Sequence, residues 1–302
     1  MPSPTKLEGD VTSIHLTPTE LSTKQLSSHN LQWAVEALHR DGLVVLENAI
    51  SPDHLDKLNA RMIPEAKYLY AQKNTHHNFG TGTGNIQQEP PQEVEYIFPD
   101  VIANPFATEI ISCMLGPKPQ LRFLSANTAF KVGNDEGRRQ PAHVDVEFDF
   151  PKGIPFGFCV NVTLVDADER NGATEVWPGS HLSSVTPDLG IVDPATDGVR
   201  ADLLEKRRAE RPPVQLGVKK GALVIRDFRL WHAGMPNHTD EPRVMLVMVL
   251  FPKWYRSTLE MVLPESVKGK IDWGDVEPCV KWVKNGEDYL KGAHDHDFAL
   301  LP

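Results

Sequence analysis

The order of patterns along the chain predicts an α+β fold: a double-stranded β-helix (jelly-roll, cupin-like) core with N-terminal helices packed on one of its sheets. Two observations carry this. Before residue 118 apolar residues recur at helical spacing, and from Leu121 onward they alternate or run in short blocks bounded by Gly, Pro, Asp and Asn. Several helices followed by many short strands suit a segregated architecture whose strands close on themselves in a roll. With 302 residues, 40% of them hydrophobic, the chain can bury a large core, and length alone permits one or two domains.

Residues 1–30 are polar and rich in Ser and Thr. Asn30 is then placed to cap a helix whose apolar face includes Leu31, Ala34, Val35 and Leu38, and Gly42 stops it. Val44 to Glu47 reads as a short strand. Ser51-Pro52 opens a second helix through Leu55, Leu58 and Met62 toward Tyr70, with Pro64 kinking it or ending its first half. A third helix follows Asn104-Pro105 through Ile110, Ile111 and Met114 and ends at Gly116-Pro117. Strands are expected at 120–132, 142–149, 157–165, 174–177, 213–217, 222–227 and 243–251. Residues 182–212 form a long polar insertion with a helix near Ala201 to Ala209, and 253–302 form a C-terminal extension.

Composition narrows the function. A formal charge of −10 with no Lys/Arg cluster excludes nucleic acid as an expected partner. No apolar run approaches a bilayer-spanning length, and Met1-Pro-Ser-Pro-Thr-Lys-Leu lacks a signal peptide's apolar centre. Cys113, Cys159 and Cys279 are odd in number and scattered, which favours a reducing compartment. A cytoplasmic protein with a small-molecule substrate is expected, and a homodimer is left open.

Chemistry concentrates in Gln140-Pro-Ala-His-Val-Asp-Val-Glu-Phe-Asp-Phe150 and in Arg226-Asp-Phe-Arg-Leu-Trp-His-Ala-Gly234. On a strand His143 and Asp145 point to one face while Val144 points to the other. With His232 they make two imidazoles and one carboxylate. Such a set leaves three of six octahedral positions open, as in non-haem Fe(II) oxygenases rather than closed zinc sites. Two other His-x-Asp triplets compete with this one. His54 and Asp56 fall on a helix, where positions two apart diverge, and His238 and Asp240 fall in a turn, so both pairs read as polar residues exposed to solvent. His294 to Asp297 reads as a solvated terminus. Gly80-Thr-Gly-Thr-Gly84 is no dinucleotide loop, because it follows no strand and opens no helix. It reads as a loop at the mouth of a pocket, with Asn85 a candidate substrate contact.

These motifs, together with His39-Arg-Asp-Gly-Leu-Val-Val-Leu-Glu-Asn48 and Asn171-Gly-Ala-Thr-Glu-Val-Trp-Pro-Gly-Ser-His181, resemble the phytanoyl-CoA dioxygenase family of Fe(II)/2-oxoglutarate oxygenases, particularly its fungal secondary-metabolite members. The resemblance covers most of the chain, in the order His143, Asp145, His232, Asn237, Arg243, and implies a single domain over 1–302. It implies Fe(II), 2-oxoglutarate and O2 as cofactor and cosubstrates, with His143, Asp145 and His232 as metal ligands. Arg243 is also arguable from chemistry. It opens the apolar run 243–251, where a buried guanidinium requires an anion, and by resemblance that anion is the far carboxylate of 2-oxoglutarate. Thr174 resembles the family's hydroxyl contact to the cosubstrate, and Gln140 a position lining the metal pocket or touching substrate.

Asn161 shares a strand face with Cys159 and Thr163 and becomes a cosubstrate contact if that face borders the cavity. The family commonly carries a large apolar residue near there, so this chain departs from the pattern. His181 and Trp231 read as packing residues. The implied reaction is oxidation of an unactivated C–H bond of a small metabolite by hydroxylation, desaturation or ring formation, and Asp145 disfavours halogenation. The alternatives are a non-redox jelly-roll metalloenzyme and a catalytically silent ligand-binding protein.

Overall fold

In the computed structural model, which describes residues 4–134, 136–146, 153–183 and 190–291, most strands join one sheet. Its order is Thr5–Lys6, Thr12–His15, Leu43–Glu47, Leu223–Asp227, Phe158–Thr163, Arg243–Phe251, Gln120–Ala129 and Glu277–Pro278, with Asn85–Gln88 also paired to Gln120–Ala129. The central pairs are antiparallel, and Leu223–Asp227, Phe158–Thr163 and Arg243–Phe251 lie side by side. A second sheet joins Val214–Gln215, Glu175–Val176 and His232–Ala233.

The side-chain period of two divides the large sheet between two tasks. Val160, Val162, Leu246, Met248 and Ile225 face the helices and form one core with Leu38, Leu55, Leu58, Met62, Ile110 and Ile111. Cys159, Asn161, Met245, Val247 and Val249 alternate with them and border a cavity of about 480 Å³. Helices on one face and a cavity on the other is the expected α+β roll. The volume falls in the range typical of small-molecule sites.

Several boundaries differ from expectation for identifiable reasons. Helix Ser28–Asp41 is capped by Ser27, whose hydroxyl accepts from the Asn30 amide at 3.3 Å, so Asn30 is not the cap. The Asn30 side chain instead donates to the buried Glu20 carboxylate. The polar first thirty residues also hold the strand Thr12–His15 and the helix Pro18–Thr23, which Thr17 and Glu20 close with a reciprocal capping box. Pro64 does not end its helix, which runs Pro52–Tyr70. Gly42 does terminate helix Ser28–Asp41, in the left-handed conformation (φ 77°) that glycine adopts freely. Helix Pro105–Leu115 begins as expected, with the Asn104 side chain accepting from the Phe106 and Ala107 amides. The insertion contains the helix Ala201–Glu210 and a small hairpin, Val192–Asp193 with Gly198–Val199.

Two corrections bear on the site. No strand forms over 142–146, and residues 147–149 lie outside the described residues, as do His294 to Asp297. The segment after Gly80–Gly84 is not a loop: Asn85–Gln88 is a strand, and all four residues are buried.

Candidate active site

His143 and His232 are far apart in sequence and are joined by backbone. The His143 amide donates to the His232 carbonyl at 2.9 Å, and the His232 amide returns a bond to the His143 carbonyl at 3.0 Å. Such a mutually bonded pair holds two antiparallel segments in register even where no longer ladder forms. Gln140 extends the join: its amide donates to the Gly234 carbonyl, and its Oε1 accepts from the Gly234 amide at 2.7 Å. A Cβ on Gly234 would lie 2.6 Å from that Oε1, so a side chain there would displace the Gln140 amide.

Both imidazoles are oriented by carbonyls. His143 Nδ1 lies 2.9 Å from the Pro141 oxygen and His232 Nδ1 lies 3.0 Å from the Leu230 oxygen. A carbonyl only accepts, so each Nδ1 carries the proton and each Nε2 keeps its lone pair. Burial pushes the His143 pKa down and the His232 pKa down further, with Arg226 adding to the second effect, so both rings are neutral. Burial alone would raise the Asp145 pKa. The Arg226 guanidinium beside it is the leading opposing influence, and the carboxyl is held well below the usual range. His232 Nε2 lies 3.6 Å from Asp145 Oδ1. One ligand atom from each of the three residues falls within 4.8 Å of the others, close enough to hold one metal ion. Neutral nitrogen donors and an ionised oxygen donor are the protonation states a metal requires.

Arg243, at the start of its apolar strand, is 3% exposed and borders the same cavity. It forms no ion pair with Glu241 or Asp240, which pair with Lys67 and Lys131. Its Nε and Nη2 donate to the Asn171 and Gly172 carbonyls, while Nη1 is buried with no partner. Burial lowers its pKa to about 10. A buried guanidinium with an unmet donor calls for an anion.

The other expected residues reach the cavity by different routes. Thr174, Gln140, Asn161 and Asn85 all border it. Thr174 Oγ1 lies 3.9 Å from Met245 Sδ. Asn161 Oδ1 accepts from Arg226 Nε at 3.0 Å, and its buried Nδ2 has no partner. Asn85 is 3% exposed in a strand, so it belongs to the cavity wall rather than to a loop at its mouth.

The remaining histidine motifs stay apart. His54 pairs with Asp100 at 2.8 Å and Asp56 with Lys220 at 2.9 Å. His181 is packed beneath the His39 carbonyl, and Trp231 packs with Trp177, Ala142 and Val144. Sequence reasoning missed Arg226, which reaches Asp145 Oδ2 at 2.8 Å, and Phe79, whose ring centroid lies 4.6 Å from that of His143. Arg226 had a signal of the same kind as Arg243, a guanidinium inside the apolar stretch Ala222-Leu-Val-Ile-Arg226. Phe79 had none.

A model of the phytanoyl-CoA dioxygenase family matches residues 38–245. The chain belongs to this family. The matched span contains His143, Asp145, His232 and Arg243. Among solved structures, the epimerase SnoN in complex with Fe3+, alpha ketoglutarate and nogalamycin RO superposes with a TM-score of 0.56 at 19% identity, covering 75% of this chain and 85% of that one. AviO1 from Streptomyces viridochromogenes gives 0.53 at 19% identity, over 76% of this chain and 98% of that one. EctD from S. alaskensis with 2-oxoglutarate and 5-hydroxyectoine gives 0.51 at 20% identity, over 75% and 76%. These likenesses carry the fold, the double-stranded β-helix shared by this phytanoyl-CoA dioxygenase family member and its structural neighbours.

Proposed function

We propose that this chain is a non-haem Fe(II)/2-oxoglutarate-dependent dioxygenase that oxidises an unactivated C–H bond of a small metabolite, in secondary-metabolite biosynthesis. One observation carries the reading. The donor set of His143, Asp145 and His232 borders the same cavity as the buried, unpartnered Nη1 of Arg243. Two nitrogens and one oxygen with three open positions suit Fe(II), and no thiolate competes for it among the three donors. When bound, Fe(II) with 2-oxoglutarate and O2 would supply the oxidant for the C–H bond, with succinate and CO2 as coproducts.

The chain's own residues supply placement. His143, Asp145 and His232 would hold the metal, and Arg243 would take the far carboxylate of 2-oxoglutarate in a charge-assisted fork. Thr174, Gln140 and the free Nδ2 of Asn161 offer polar contacts to the cosubstrate. Asn85 and Gln140, which border the cavity, would contact substrate, and Phe123, Val247 and Val249 give the same cavity an apolar wall that would help to exclude water. The two guanidinium groups of the cavity are both assigned, Arg226 to Asp145 and Arg243 to the cosubstrate. An uncharged or cationic substrate fits better than a polyphosphate ester.

A cytoplasmic location is part of this proposal, supported by three scattered cysteines. Nucleic acid and membrane have no part in it: the net charge is −10, and no helix among the described residues is long and apolar enough to cross a membrane. The groups named come from one chain, so a homodimer would not be needed to complete the site.

The test is an anaerobic titration of the purified protein with Fe(II) and then 2-oxoglutarate, followed by the visible charge-transfer band of the chelate. The band should appear with both additions and with neither alone. Its absence at saturating concentrations refutes the reading.

A further inference from the structure

The two oxygens of Asp145 have different surroundings. Oδ1 faces His232 Nε2 at 3.6 Å. Oδ2 accepts from Arg226 Nη1 at 2.8 Å, and Cys159 Sγ lies 3.7 Å from the same oxygen. Arg226 is itself held at a second point, because its Nε donates to Asn161 Oδ1 at 3.0 Å on the neighbouring strand. Its side chain is 7% exposed, and Leu223–Asp227, which carries it, is an inner strand of the large sheet. Asp145 sits on a stretch with no strand of its own, tied to the fold by the backbone pairing of His143. The rigid partner is therefore Arg226, and the carboxylate is the group that needs holding.

We propose that Arg226, braced by Asn161, is the positioning residue that restricts Asp145 to a single metal-binding oxygen. The inference rests on the metal centre proposed above. A carboxylate can bind a cation through one oxygen or through both. A second oxygen on the metal would close one of the three positions that the cosubstrate and O2 require. The Arg226 Nη1–H donated to Oδ2 removes that alternative and keeps the half-buried carboxylate partnered when the site is empty of metal.

The test uses the full chain and Co(II) alone, without cosubstrate, to measure metal affinity and the visible Co(II) spectrum. Arg226→Lys keeps the charge and loses the fork. Arg226→Met loses both, and Asn161→Ala removes the brace. Both Arg226 variants should bind Co(II) about 10- to 100-fold more weakly, the usual effect of removing a partner of a metal ligand, and should show an altered spectrum.

Asn161→Ala should show a smaller loss. Adding it to Arg226→Met should cost nothing more, because Asn161 acts through Arg226. In turnover with Fe(II), kcat of the two Arg226 variants should fall while their KM for 2-oxoglutarate stays within about 3-fold, a split that general loss of structure would not give. If Arg226→Met does not fold, Arg226→Lys and Asn161→Ala still decide. Wild-type affinity and spectrum in Arg226→Lys would overturn the proposal, as would additive losses in the double variant. Failure of wild type to form the iron and 2-oxoglutarate chelate would overturn the enzyme reading itself. A wild-type chelate alongside unchanged Arg226 variants overturns only this inference.

Discussion

Asp145 and Arg243 are the two residues whose removal separates the parts of the site. Asp145→Ala leaves two imidazoles and no anionic ligand beside a buried Arg226. It should abolish substrate-stimulated succinate release while the far-ultraviolet circular dichroism stays native. Retained turnover would exclude the proposed centre. Arg243→Met removes the buried donor without touching the three metal donors. It should raise the half-saturating 2-oxoglutarate concentration by about 10- to 100-fold, the loss of one charge-assisted hydrogen-bond pair. Its Co(II) affinity, measured without cosubstrate, should match wild type. A variant in which both affinities fell together would mean that Arg243 serves the fold rather than the cosubstrate. At this scale the ligand types were readable in the sequence, since a His-x-Asp pair in a β-rich stretch and an arginine opening an apolar run both ask for a partner. Arg226 asks by the same chemistry, but which carboxylate it meets depends on strand order.

Elements differ in how much their own residues settle. Helix Pro105–Leu115 has its cap, its proline and its closing glycine in sequence, and it starts where they say. The stretch 142–149 alternates like a strand, yet over 142–146 its pairing with the His232 segment is a single antiparallel bridge at His143, too short to make a strand. Asn85–Gln88 is the converse: a segment in which Ile86 alone favours a strand becomes one because Gln120–Ala129 offers an open edge.

The capping box of helix Pro18–Thr23 supports a pH prediction. Burial would raise the Glu20 pKa, but hydrogen bonds from the Thr17 and Ser27 amides bring it down from 4.5 to about 2. A carboxyl depressed in the folded state stabilises it above the unfolded pKa and loses that contribution as pH falls through the folded value. Glu20→Gln should therefore cost about 1 kcal/mol at neutral pH, and the gap to wild type should close between pH 4.5 and about 2. Urea melts of both proteins at pH 7 and pH 3 measure it. A gap that widens in acid would contradict the assignment.

For the molecule as a whole, ligands that bind only the folded state raise its stability by mass action, by about 2.7 kcal/mol at a hundred times their dissociation constant. Mn(II) should raise the melting temperature of wild type, and 2-oxoglutarate should raise it further only when the metal is present. Arg243→Met should keep the first increment and lose the second, and Asp145→Ala should lose both. Stabilisation by 2-oxoglutarate without metal would place its binding site elsewhere. The arrangement that couples the two ligands is global: the large sheet spends one face on the helices and turns the other toward the cavity.

Periodicity, caps and turn residues were local, so the sequence by itself determined the fold class, the helices near Ser28, Pro52 and Pro105, the long strand Arg243–Phe251 and the chemical identity of His143, Asp145, His232 and Arg243 as groups needing partners. Only the tertiary structure decided who those partners are. The pairing of His143 with His232, the side of Asp145 that Arg226 occupies, and the place of Asn85 in a buried wall all depend on contacts between segments distant in the chain. One sequence carries no local signal for such contacts, because strand order and register arise from the packing of the whole sheet.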